Sequence, residues 1–423
     1  MVQLNWSKSV TKGLGSPVAI LTYGTVLSQS VVFVSTVIMG HLYSPEQFGF
    51  YAFIITVAGI FGLTLSKSLE TFIVPAKSDE QADGLFVKGL QLVLKNWSIL
   101  VVINTTLIVL VTATGDLISI NFKAMWLSIL LAPLLAMYSL CYQLTLRNLK
   151  YKVLASRGPI QNSAIGASQW VLSHSSIQSL GLVLGEIAGR VIGLGFLLSS
   201  LRVSPKKVLK EFRSKEKQFK VHQPIIVNFL SISFDLAAAS ALLIFVNIHF
   251  GDWAAGQVSM AQRIVVLPVV FLGVNFAQYF LSSGSVNHRN GVSFLRHEFD
   301  SIISKLFLTA LGIAVILFFS GSWILSIFLG GEWRVAGNLI RLLLPIMVVS
   351  FVWNPMSSYF YVGGLWSQFL KISTLRVVFI CIGAVFAKIT QMNLNEATIL
   401  ITSLNASIQI YGLYLLRKKY NFS

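Results

Sequence analysis

Leu201-Arg-Val-Ser-Pro-Lys-Lys-Val-Leu-Lys-Glu-Phe-Arg-Ser-Lys-Glu-Lys-Gln-Phe-Lys-Val-His222 is the most basic connection between apolar runs, and it divides the chain into two sets of six. It carries eight basic residues, Arg202, Lys206, Lys207, Lys210, Arg213, Lys215, Lys217 and Lys220. Upstream, apolar runs fall at about 17–40, 48–66, 90–113, 124–145, 154–173 and 177–200. Downstream they fall at about 224–248, 253–281, 303–329, 335–361, 369–387 and 396–416. Most are near the roughly 20 residues that cross a hydrocarbon core of about 30 Å. The 423 residues are 55% hydrophobic and 11% charged, with mean hydropathy +0.75. Such a chain has room for about a dozen transmembrane helices and little else, which excludes a catalytic domain of ordinary size. The expected architecture is an all-α polytopic membrane protein. Residues 1–200 would form one six-helix bundle, 201–222 a basic linker and 223–423 a second six-helix bundle.

The charge of +17 is explained by topology. With the N-terminus inside, the outer loops hold only Lys123, Arg334 and Lys388, and four arginines (Arg190, Arg263, Arg341 and Arg376) lie deeper within spans. The other 25 of the 32 Lys+Arg fall in inner loops and tails or, as Lys95, Arg157, Lys305 and Lys371 do, close to the inner end of a span. Basic residues accumulate on the cytoplasmic side, so both termini and the 201–222 linker are expected there. Nucleic acid is not needed as a partner. The linker reads as a topology determinant resting on anionic headgroups. The run from Pro17 to Gly40 is too long for a signal-peptide core and reads as an uncleaved first span.

The fifth run is polar for a span, with Ser156, Arg157, Gln161, Asn162, Ser163, Ser168 and Gln169, so it must face protein or water rather than lipid. On the sixth run Gly181, Gly185, Gly189 and Gly193 recur every four residues, a stripe that allows a neighbouring helix to approach closely. A faint internal repeat is visible. Pro17 and Pro224 open the two halves, and Gly49 and Gly256 are separated by the same 207 residues. Six spans return the chain to one side, so such a repeat would be parallel, with a pseudo-twofold axis along the membrane normal. That arrangement suits a transporter of two bundles around a central cavity. Cys141 and Cys381 lie in apolar runs, and the six histidines have no ligand spacing, so no metal or other cofactor is implied.

Charges inside spans are the candidate functional residues, because each is costly in hydrocarbon. Glu186 and Arg190 are four apart on one helix face and either neutralise each other or take part in a site. Asp235 has no opposite charge within a turn. Its partner must come from another helix, or it is protonated for part of a cycle, which makes Asp235 and Glu186 candidates for coupling to an ion. Arg263 is about 15 Å from the nearer end of its span and too deep to snorkel, so it needs a wet cavity or an anion. Arg341 and Arg376 are one to two turns from span ends, where snorkelling competes with a site role. Four arginines against two acids leave a net positive interior, and a guanidinium fork suits phosphate oxygens. Trp126, Trp170, Trp253, Trp323, Trp333, Trp353 and Trp366 lie near span ends, as interface anchors do.

The segment His41-Leu-Tyr-Ser-Pro-Glu-Gln-Phe-Gly-Phe-Tyr-Ala52 resembles the first outer loop and second span of bacterial polysaccharide repeat-unit flippases of the Wzx O-antigen type. Further stretches fit. They are Ser78-Asp79-Glu80, Asn148 to Gln161 with Tyr151, Ala155, Ser156 and Arg157, Gly181 to Gly195, and Gly256 to Pro268 running on to Gln278-Tyr-Phe280. The likeness covers roughly residues 15–280, and the rest matches by hydropathy.

The resemblance implies a MATE-like exporter of two six-helix bundles in the bacterial inner membrane, moving undecaprenyl-pyrophosphate-linked oligosaccharide, an O-antigen or capsule unit, between leaflets by alternating access. Membrane lipids, a polysaccharide polymerase and a chain-length regulator are the partners it implies. Arg263, Arg190, Arg341, Arg376 and Arg157 would attract the pyrophosphate, with Asp235 or Glu186 binding a coupling ion. The family often has Arg-Tyr-Glu after the second span, where this chain has Lys67-Ser68-Leu69-Glu70, so that arginine's role falls to Lys67 if to any residue. The rival readings are a drug or cation antiporter, which would need a more acidic cavity, and a membrane polymerase or ligase, which would need a sizeable outer loop. The expected protein is not an enzyme.

Overall fold

The computed structural model describes residues 17–76, 78–114, 122–201, 223–268, 296–362 and 365–419. Among the described residues eleven α-helices follow one another: α1 Pro17–Leu42, α2 Pro45–Ser66, α3 Asp79–Thr114, α4 Phe122–Arg147, α5 Tyr151–Ser173, α6 Gln178–Leu201, α7 Gln223–Pro268, α8 Arg296–Leu329, α9 Arg334–Val362, α10 Trp366–Ile389 and α11 Leu394–Lys419. Among the described residues ten stretches are long and apolar enough to cross a membrane. One of them, Ile226–Leu267, has 42 residues. At ~1.5 Å per residue that is about 63 Å, twice a hydrocarbon core. Its helix breaks at Gly251, whose φ of 84° a side chain would resist, so α7 accounts for the seventh span and the start of the eighth. The basic linker after Leu201, the stretch 269–281 and Gln278-Tyr-Phe280 lie outside the described residues.

Exposure is inverted relative to a water-soluble protein. Phe319 and Ile389 are each 75% exposed, and exposed Leu, Ile, Val and Phe recur along α3, α8 and α10, which is a lipid-facing surface. Hydroxyls on those faces satisfy themselves locally. Ser98, Thr105 and Thr106 on α3 and Thr309 and Ser320 on α8 each donate to the carbonyl four residues back.

Helix starts follow local chemistry. Before α2, Ser44 and Gln47 exchange a capping box: the Ser44 N–H donates to Gln47 Oε1 at 3.0 Å, and the Gln47 N–H reaches Ser44 Oγ at 3.5 Å, with Pro45 at the first helical position. Asn393 and Glu396 form the same device at α11, both bonds at 3.0 Å. Ser78 accepts from the Gln81 N–H ahead of α3, where Asp79 and Glu80 suit the positive helix end.

The chain packs as two units. The first comprises residues 1–42 and 57–219, the second 43–56 and 220–423. In the first, α5 lies between α1 and α6. A Cβ on Gly185 would stand 2.8 Å from the Gln169 backbone nitrogen, one on Gly189 2.7 Å from that of Ile165, and one on Gly193 2.6 Å from Gln161 Oε1. The stripe on α6 is therefore an interhelical contact with α5. On the other side a Cβ on Gly158 would stand 2.6 Å from Ser28 Oγ. The polar residues of α5 face these neighbours: Asn162 Nδ2 donates to Ser28 Oγ at 2.8 Å, and Gln169 Nε2 donates to the Leu182 carbonyl at 2.9 Å. This is why α5 is absent from the ten apolar stretches yet belongs to the bundle.

In the second unit, the start of α2 lies against α7 just after its break. A Cβ on Gly49 would run into the Asp252 carbonyl, and one on Gly256 into the Pro45 carbonyl. Pro45 and Asp252, like Gly49 and Gly256, are 207 residues apart. The contact is reciprocal. Next to it Gln257 donates to the Glu332 carbonyl at 2.7 Å and accepts from the Ala336 N–H at 2.8 Å, satisfying a free N–H of α9's first turn. Trp333, 0% exposed, meets Phe48 edge-on at 5.2 Å, and Trp353, 1% exposed, stacks on Phe369 at 6.2 Å. These two tryptophans are core residues and not the interface anchors their positions near span ends suggest. Trp170, Trp253 and Trp323 are exposed.

Candidate functional site

In the first unit three helices bring charge and aromatic rings together. Tyr138 and Tyr142 are four apart, and so on one face of α4. The Arg157 guanidinium, from α5, lies 4.3 Å from the Tyr142 ring centroid and 5.1 Å from that of Tyr138, and donates a hydrogen bond to the Tyr138 hydroxyl. Arg190, from α6, is 5.9 Å from the Tyr138 ring and donates from Nε to Glu186 Oε1 at 2.7 Å. Glu186 is 4% exposed in its side chain and Arg190 22%. Arg157 Nε is buried with no acceptor among the described residues. The cluster thus holds two guanidiniums and one carboxylate, which pairs with Arg190, and the buried Arg157 donor is unused.

Such an arrangement favours an anion. Removed from water, positive charges attract phosphate oxygens more strongly than they would at a surface, and planar forks can hold two oxygens at once. The tyrosine faces stabilise the cations without neutralising them.

The second unit holds a different arrangement. Arg376 of α10 donates to Asp235 of α7 through Nη1 and to Asn405 Oδ1 of α11 through Nε at 2.9 Å. Arg376 is 2% exposed, and the Asp235 side chain 36%. Asp235 therefore finds its partner on another helix, and Arg376 is buried in protein and does not snorkel. Arg263 lies 5.7 Å from the Phe48 ring centroid and 5.6 Å from that of Tyr51, beside the Gly49–Gly256 contact. Arg341 is exposed, donating to the Phe318 carbonyl at 3.1 Å and lying 5.3 Å from its ring. Lys67 is exposed on the turn after α2.

Within the first unit, then, the structure brings Arg157, Arg190 and Glu186 together, and within the second Asp235 and Arg376. Lys67 and Arg341 join neither cluster. Sequence reasoning missed Tyr138, Tyr142 and Asn405. The two tyrosines on one face of an apolar helix were the available signal, and Asn405 had none. No group of three or more His, Cys, Asp or Glu close enough for a metal occurs among the described residues.

A family model described as polysaccharide biosynthesis protein matches residues 38–337. No curated protein matches the chain. Among solved structures, the outward-facing conformation of a multidrug resistance MATE family transporter of the MOP superfamily is similar at TM-score 0.62 and 18% identity, covering 97% of this chain and 98% of that one. A MOP superfamily transporter from Pyrococcus furiosus, described as having a binding pocket of reverse polarity, matches at 0.62 and 17% with the same coverage. MATE in complex with MaD5 matches at 0.61 and 17%, again covering 97% and 98%. The fold is therefore MATE-like.

Proposed function

We propose, for a chain that belongs to the polysaccharide biosynthesis protein family, that it is a membrane flippase for a lipid-linked oligosaccharide. Its substrate is an oligosaccharide on undecaprenyl pyrophosphate, an O-antigen or capsule unit. It moves from the cytoplasmic to the periplasmic leaflet of the inner membrane by alternating access, with both termini of the protein cytoplasmic.

The observation that carries this reading is the Arg157–Arg190 cluster on Tyr138 and Tyr142, with the unused Arg157 donor. A pyrophosphate offers several oxygens to such donors. The fold is shared with multidrug transporters, so the rival is antiport of an organic cation, which two arginines against one carboxylate would repel. On this reading Glu186 lowers the cost of placing Arg190 in the bundle, and the Asp235–Arg376 pair holds helices together.

The test is export of the lipid-linked unit with membrane abundance measured alongside. A charge-assisted hydrogen bond contributes about 1.5–3 kcal/mol, so Arg157→Ala is expected to lower export by roughly ten- to a hundredfold at normal abundance. Arg157→Lys should recover part of it, since the charge returns without the fork. Full export by the alanine variant, or transport of an organic cation by the purified protein, would overturn the reading.

A further inference from the structure

The turn after α2 holds a buried acid that neither cluster uses. Lys67 and Ser68 adopt left-handed backbone at φ 52° and 55°, an arrangement unusual for residues other than glycine, and Leu69–Phe72 follows as one turn of 3-10 helix. This geometry turns Ser68 and Glu70 inward, to 0% and 4% exposure. Glu70 Oε2 and Ser68 Oγ are both buried without a hydrogen-bond partner among the described residues.

The turn is held from both sides. Asn96 of α3 donates to the Leu65 carbonyl at 2.8 Å. Arg147 of α4 donates to the carbonyls of Ile73, Val74 and Ala76 at 3.3, 2.9 and 2.8 Å, and pairs with Asp79 at 3.0 Å. Helices α3 and α4 are the elements packed on the 3-10 turn. Their titratable groups on the flanking turns are Asp79, Glu80, Asp83, Lys88 and Lys95 on the one and Cys141, Tyr142 and Arg147 on the other. Arg147 pairs with Asp79, and Glu70 takes part in no ion pair among the described residues. An ionised carboxylate buried without a counter-charge is strongly disfavoured, and the simplest relief is a proton. Burial pushes the Glu70 carboxyl above the usual carboxylate range, against the opposing pull of the Ser66 hydroxyl and its own backbone N–H.

We propose that Glu70 is a proton-binding site, protonated where the Lys67–Phe72 turn buries it. As a proton site it stands on this geometry alone. Coupling of that proton to transport rests additionally on the flippase reading.

A raised carboxyl pKa means that burial of the neutral form stabilises the protein fully below the ordinary glutamate pKa. That contribution is lost as pH rises through the raised value.

The test is infrared difference spectroscopy of the full chain in lipid nanodiscs, which needs no substrate. Wild type is expected to show the carbonyl stretch of a protonated carboxyl that titrates away above the usual carboxylate range, and Glu70→Gln to lack it. The wild-type unfolding midpoint should fall over the same pH interval, while that of Glu70→Gln stays flat. If Glu70→Gln does not accumulate, Glu70→Asp should keep the band with a displaced midpoint. Identical spectra in wild type and variants, or a carboxylate band that moves when sodium replaces choline, would overturn the proposal. Failure of export with this band intact would count against the flippase reading and leave the proton site standing.

Discussion

The two units solve the same problem by different means. In the first, helices approach through glycines, and the charged pair Glu186–Arg190 lies within one helix. In the second, glycines serve at the Gly49–Gly256 crossing, but large rings fill the core, and the pair Asp235–Arg376 joins helices, with Asn405 of a third accepting a further bond. An intrahelical pair leaves the other groups of a guanidinium available. A cross-helix pair spends the arginine on packing. The difference teaches where to look for a ligand: at Arg157 and Arg190 rather than at Arg376.

The largest effect is expected in the second unit. Asp235→Asn leaves Arg376 buried beside a neutral group, and breaking a buried pair costs about 3–5 kcal/mol, discounted here because the Asp235 side chain is partly exposed. The expected outcome is loss of membrane abundance and a lower unfolding midpoint. Replacing both partners, as in Asp235→Asn with Arg376→Met, should restore much of it. Normal abundance of the single variant together with lost ion-driven transport would instead make Asp235 a coupling site.

A smaller effect sharpens the picture of the first unit. Gly189→Ala forces a methyl against the Ile165 backbone and should cost about 1–3 kcal/mol. Gly195→Ala on the same helix meets nothing within 4 Å and should be neutral or stabilising by about 0.5–1 kcal/mol. Unfolding midpoints of the two variants in detergent check the pair, and equal midpoints would remove the glycine stripe as the basis of α5–α6 packing.

The smallest effect is expected at Arg341. Its ring contact is exposed, where cation–π attraction contributes about 0.5–1 kcal/mol, so Arg341→Gln should lower stability by no more than that and leave export unchanged. A tenfold export defect would put Arg341 among the substrate contacts.

Helices and their order were legible because apolar runs of membrane length leave few alternatives. The polar fifth run was legible as protein-facing, and Asn162 and Gln169 show which neighbours it faces. Glu186–Arg190 could be read from a spacing of four. Arg376 could not, since its partner is 141 residues away and nearness to a span end suggested snorkelling. Trp333 and Trp353 misled for the same reason: position along a helix does not say which way a ring points. Tyr138 and Tyr142 are ordinary residues until Arg157 is placed over them. Glu70 is hidden by the unusual backbone of Lys67 and Ser68, which no glycine marks.

The reciprocal contact of Gly49 and Gly256 bears on ancestry. In an isologous dimer, residue i of one copy touches j of the other while j touches i, and Pro45 with Gly256 and Asp252 with Gly49 have that form at a constant offset. A gene for six spans whose product paired with itself would carry such an interface into one polypeptide after duplication and fusion. Thereafter the copies need not stay identical. Glycine stands at both members of the crossing pair, while proline at 45 faces the role of aspartate at 252. Away from the crossing one copy could come to hold Arg157 and Arg190 and the other Asp235 and Arg376, a division of labour closed to two identical subunits.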